Sequence, residues 1–159
     1  MIDDLATRAS MTVAAFLLLA TGLAVLGLHE GDAVRDALEG LASHLAHQLD
    51  AVSAIGGEVS FLSHDPPFAL PTTVAGSVYQ IEFTARAIRV VAGTAVAARP
   101  LRIPVHPFVP LQDVYTTEDL ALRDSAVLSI RSDQAFAIER TARWVDAEHP
   151  YLTFVHLPP

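Results

Sequence analysis

The 159-residue chain carries eighteen acidic residues against ten basic ones, a formal net charge of −8 spread along its length, which argues against a phosphate-binding surface and against nucleic acid as a partner. It contains no Cys, so disulfides, thiolate nucleophiles and thiolate metal sites are excluded together. Every basic residue is Arg, Lys and Asn are absent and Asp outnumbers Glu; this composition points to a GC-rich genome and a surface kept hydrated in salt, and it offers no N-glycosylation acceptor. The length suits one modest domain with an N-terminal appendage, not two domains.

Residues 1–9, with Asp3, Asp4 and a single Arg8, read as a leader. From Ser10 to Leu28 there is no charged residue, and nine positions are Leu, Phe or Val. Those nine contribute about −3 to −5 kcal/mol to membrane insertion before small and polar residues subtract. The run is therefore expected to be a transmembrane segment near the lower length limit for spanning a bilayer. A conventional cleaved signal fits less well: the n-region is acidic, and Gly22-Leu23-Ala24, the best small-residue site, lies inside the apolar run.

The helical pattern continues past the apolar run. Val34, Leu38, Leu41, Leu45, Leu49 and Val52 recur at steps of three and four, with charged residues at other positions, so they form one packing stripe. The spacing predicts a single helix over 10–56, which at 1.5 Å per residue is roughly 69 Å long, closed at Gly56-Gly57 by a left-handed glycine cap. The stripe is expected to pack against neighbouring helices or against the chain's own head.

Beyond Gly57 the period changes to two. Val59/Phe61, Tyr79/Ile81/Phe83, Ile88/Val90 and Leu101/Ile103/Val105 alternate with polar or small residues, predicting half-buried strands. Asp65-Pro66-Pro67 through Pro71 reads as a loop, and Gly93 as a turn before a strand at Thr94–Ala98. Thr116, with Asp119 in the first turn, caps a short helix. Ala126–Arg131 and Gln134–Arg140 read as a hairpin across Ser132-Asp133, and Tyr151–Leu157 as a last strand. The expected class is α+β: a long N-terminal helix followed by a β-rich head over 57–159, built as a small antiparallel sheet or sandwich.

Candidate chemistry is sparse. His44, His47 and Asp50 share a helix face at metal-ligand spacing, but a solvated helix face explains them better. His64-Asp65, His106, His149 and His156 have no sequence-positioned partner, and Trp144 and Tyr151 read as core or sheet residues. No nucleophile elbow, phosphate loop or zinc motif is present in the sequence. The expectation is no enzyme, no cofactor and no metal.

Arg8-Ala9 immediately before Ser10-Met11-Thr12 and an unbroken apolar run resembles the cleavage region of archaeal type IV pilin-like proteins, and "LPTTVAGSVYQIEF" (Leu70–Phe83) resembles the start of the β-head in haloarchaeal members. The resemblance implies cleavage after Ala9 by a prepilin peptidase. It also implies an extracellular head on a membrane-held helix, and assembly with other pilin-like subunits or copies of itself through that helix. Many pilins carry a Glu five residues into the mature chain, where this sequence has Ala14. With the absence of Asn, that departure favours a minor or accessory subunit over a major one. The competing reading is a single-pass anchored binding module of the cell envelope with a coiled-coil stalk.

Overall fold

The computed structural model describes residues 31–143 and 150–158. The leader with Arg8, Ala9 and Ser10, the apolar run 10–28, and Trp144 and His149 lie outside the described residues. Among the described residues, no helix is long and apolar enough to cross a membrane.

Helix α1 occupies 31–53. Its stripe is covered by the head: Leu38, Leu41, Leu45, Leu49 and Val52 are buried, and Val34 packs half-buried against them. Full burial of each large aliphatic side chain is worth roughly 1.5–3 kcal/mol, so this face anchors the helix. The described residues before the stripe's Leu38 stand clear, with every residue from Gly31 to Ala37 exposed except Val34. The end of the helix departs from expectation. Neither Gly56 nor Gly57 has positive φ. The last turn instead tightens, with Ala54 N bonding Ala51 O at 3.2 Å and Ile55 N bonding Val52 O at 3.1 Å. The Arg140 guanidinium then supplies a donor to the Ile55 carbonyl, so a left-handed cap is not required.

Among the described residues, the head holds seven strands in two antiparallel sheets. β1 (Val59–Leu62), β6 (Ala137–Ala142) and β7 (Tyr151–His156) form one, in the order β1-β6-β7. β2 (Gln80–Thr84), β3 (Ala87–Ala92), β4 (Ala95–Pro100) and β5 (Leu128–Arg131) form the other, in the order β4-β3-β2-β5. Cross-strand partners Phe83 and Ile88, and Ile81 with Val90 and Ile130, line the inner face of the larger sheet. Phe61, Ile138 and Val155 do so in the smaller one. These side chains and the α1 stripe make one hydrophobic cluster, with Phe83 edge-on to Phe136 at 5.2 Å. The chain is thus α+β, with the helix built into the core of a two-sheet head.

Two predicted strand features fall differently. Leu101–Val105 is not a strand; Leu101 N bonds Arg86 O at 2.8 Å and Val105 N bonds Ala85 O at 2.9 Å, while Pro104 between them has no N–H to continue a ladder. The side chains of Leu101 and Val105 are nevertheless buried, while Ile103 between them is exposed, so the period-two signal matches burial only at its two ends. The segment then passes between sheets, and His106 bridges Phe154 of β7 in parallel. The expected hairpin across Ser132-Asp133 keeps its turn, with Gln134 N bonding Arg131 O at 3.0 Å, but its arms part. β5 pairs with β2 whereas β6 pairs with β1 and β7. Buried Ser132 enforces this corner: its Oγ donates to Thr72 O at 2.6 Å and accepts from Tyr79 N at 3.1 Å. The chain changes sheets there, as corners between packed sheets do.

Helix α2 (Thr117–Arg123) starts as predicted, with Asp119 N donating to Thr116 Oγ1 and Thr116 N donating to the Asp119 carboxylate. Its Leu120 joins Tyr115, Leu152 and Phe154 in a second, smaller cluster on the far side of β7. β7 is therefore covered on both faces, which is why it reads as the nearly continuous run Tyr-Leu-Thr-Phe-Val-His rather than as an alternation.

Candidate functional site

The open face of α1 meets the segment after β4 in a cleft of about 660 Å³ lined by Ala46, His47, Asp50, Ala51, Arg99 and Arg102, among others. Helical spacing puts His47, Asp50 and Ala51 on this side because the stripe residues Leu45, Leu49 and Val52 turn into the core. Asp50 fixes the opposite wall: its Oδ1 accepts the backbone amides of Arg102 at 2.9 Å and Ile103 at 3.2 Å. Arg99 donates from Nε to Ser43 Oγ at 2.9 Å and lies 3.5 Å from Glu39. Arg102 makes no ion pair among the described residues, so the cleft presents a free guanidinium over a mostly aliphatic floor.

The His44, His47 and Asp50 triplet is not held as a ligand set. His44 Nε2 engages Phe68 O at 3.0 Å, and Asp50 is occupied by the two amides. No group of three His, Cys, Asp or Glu side chains placed to hold a metal occurs among the described residues.

Arg140 connects helix, sheet and aromatic ring. Its Nε donates to Ile55 O at 2.6 Å, its Nη1 to Thr153 Oγ1 at 3.2 Å, and the guanidinium lies 5.4 Å from the Tyr151 ring centre. Ser53 Oγ donates to the same Thr153 hydroxyl at 2.9 Å. Burial lowers the proton affinity of Arg140, yet a guanidinium stays charged in proteins, so the end of α1 faces a cation where its carbonyls carry partial negative charge. Nearby, the Glu58 carboxylate is held below its ordinary range by the Ala142 amide and then by the Thr141 hydroxyl.

A third feature lies over β7. Phe108, Tyr115 and Phe154 pack with ring centres 5.5 to 5.7 Å apart, and Arg123 sits 5.3 Å from the Phe108 ring centre. Next to them His106 Nδ1 lies 2.8 Å from Asp124 Oδ1, at the C-terminal cap of α2. No Ser or Thr hydroxyl bonds His106 among the described residues, so the pair ties α2 to the 105–108 segment. The sequence gives no spacing signal for the His106–Asp124 tie, nor for the role of Arg140; each depends on elements far apart in the chain.

Comparison of this chain with protein-family models, with curated proteins and with solved structures finds no match.

Proposed function

We propose that the chain is a type IV pilin-like structural subunit, of minor or accessory kind, whose helix is held in a membrane or filament core while the head is displayed outside the cell. The observation that carries this reading is the way α1 is built. Its stripe from Leu38 to Val52 is locked into the head's own core, whereas residues 31–37, Val34 excepted, are exposed. The apolar run Ser10–Leu28 precedes that projecting end in the sequence. A helix rooted in a two-sheet core passes load between an embedded segment and a displayed head, and its mechanism is mechanical. Within 34–52 the apolar positions are consumed by the head, which leaves no apolar seam there for the coiled-coil stalk of a plain anchored module.

In this reading Arg8, Ala9 and Ser10 form the processing site for a prepilin peptidase. Mass spectrometry of the mature N-terminus, on protein from native membranes and from sheared surface material, tests it. Ser10 at the terminus is expected, and Arg8→Glu should leave the leader attached; a Met1 terminus throughout would leave a plain anchor instead.

A further inference from the structure

The last residue of β7 holds a buried polar atom with nothing to bond. His156 is 7% exposed, and its Nε2 makes no hydrogen bond among the described residues. The ring's other nitrogen, Nδ1, lies 2.9 Å from the carbonyl oxygen of Leu157. A carbonyl only accepts, so Nδ1 carries the hydrogen, and in the neutral ring Nε2 is a lone pair. That lone pair faces Glu139 of β6, whose Oε2 is 3.4 Å away. An ionised carboxylate also only accepts. Two acceptors thus confront each other with no hydrogen between them, where buried polar atoms are ordinarily paired.

The sheet brings the two together. His156 pairs with Ala137 and Phe154 with Glu139, so His156 and Glu139 are diagonal neighbours across β6 and β7. Both lie on the face turned away from the main core: Ile138 and Val155 join the larger cluster, whereas Leu152 and Phe154, at even steps from His156, join the smaller one. The Glu139 side chain is 31% exposed, so the pair is reached from the carboxylate side.

We propose that His156 Nε2 and Glu139 Oε2 bind a divalent transition-metal ion, Zn(II) by the chemistry of the donors. Zinc bonds of about 2.0–2.2 Å meeting at the tetrahedral angle set nitrogen and oxygen about 3.3–3.5 Å apart, which matches the separation of these two atoms. A ring that donates its other N–H to a backbone carbonyl is oriented as metal-ligating His residues ordinarily are. Imidazole selects Zn(II) over Mg(II) and Ca(II), which prefer all-oxygen sites. Water supplies the remaining ligands from the exposed side of Glu139. The ion ties β6 to β7 whether or not the chain assembles, so the site goes beyond the pilin-like reading and does not depend on it.

Full-length protein in detergent, without a His tag and stripped with a chelator, is titrated with ZnCl2 at neutral pH while Tm is followed by circular dichroism and affinity by calorimetry. A saturable rise in Tm is expected, because an ion held only by the folded state stabilises it. Glu139→Gln keeps the shape of a part-exposed side chain and should weaken binding at least about tenfold, as should His156→Gln. His64→Gln, in the loop after β1, should leave the affinity unchanged. The site is overturned by the lack of a saturable rise, by an affinity indifferent to Glu139→Gln, or by one lost in His64→Gln. A Tm that ignores Zn(II) but climbs on mild acidification in the parent and not in Glu139→Gln would overturn it as well, by assigning the gap to a proton.

Discussion

Arg140 Nε lies 2.6 Å from the carbonyl oxygen of Ile55, joining β6 of the head to the end of helix α1 across 85 residues of sequence. The contact places a cation at the negative end of α1 and takes over the role of a glycine cap. Helix and head thereby form one mechanical body rather than two parts in series.

Removing that donor leaves Ile55 O and the Thr153 hydroxyl short of a partner. Arg140→Met is expected to cost about 1.5–3 kcal/mol, the range for a hydrogen bond to a charged group, with Arg140→Lys recovering part of it. Urea unfolding followed by circular dichroism checks this; an unchanged midpoint would mean that the Arg140 contacts carry no stability.

The stripe on α1 is core, so its disruption acts on the head itself. Leu45→Ala should destabilise by about 2–5 kcal/mol, as for buried Leu elsewhere, and Leu38→Asp or Leu45→Asp should prevent the head from folding. Such variants would fail to accumulate as folded protein; a cooperative unfolding transition in purified Leu45→Asp protein, followed by circular dichroism, would contradict the burial of this face.

Ala69 and Ala75 adopt φ of 45° and 49°, a region that costs residues with a Cβ roughly 1–2 kcal/mol. Ala75→Gly should therefore raise stability by about 0.5–1 kcal/mol after the added entropy of the unfolded chain is subtracted. Gly93, at φ 58° in the β3–β4 turn, should show the opposite sign on substitution by Ala. Thermal melts of the two variants, run side by side, test the sign of each.

Burial pushes the Tyr79 hydroxyl up to about 12, and the hydroxyl donates to the Pro71 carbonyl. Because the folded value lies above the unfolded one of about 10, the stabilisation is fully present below pH 10 and is lost as pH rises through about 12. An ultraviolet titration should show one phenolate appearing near pH 12, absent from Tyr79→Phe.

At the acid end Asp119 is held low by the Thr116 hydroxyl and then by the Thr116 amide. A depressed carboxyl contributes stability above its unfolded value of about 4 and loses it as pH falls through its folded value. The first turn of α2 should fray in that acid window, and Asp119→Asn should abolish the pH dependence. Hydrogen exchange at the Asp119 amide against pH decides it.

Much of the local structure is determined by the sequence alone. The three- and four-residue spacing from Val34 to Val52 encodes the buried face of α1, since only that face can be apolar on a half-covered helix. Thr116 and Asp119 encode the start of α2, and Gly93 a turn, because these side chains satisfy or permit particular backbone states. Tertiary structure decided what those elements meet. Leu101, Ile103 and Val105 alternate like a strand, yet Pro104 and the passage between sheets deny them a ladder and leave Ile103 exposed, because an apolar alternation specifies no hydrogen-bond partners. The arms flanking Ser132-Asp133 look like a hairpin, but Ser132's bonds to Thr72 and Tyr79 send them into different sheets. The cleft of Asp50 with Arg102, the tie of His106 to Asp124 and the cap of Ile55 by Arg140 have no local signature, since each joins residues that only packing brings together.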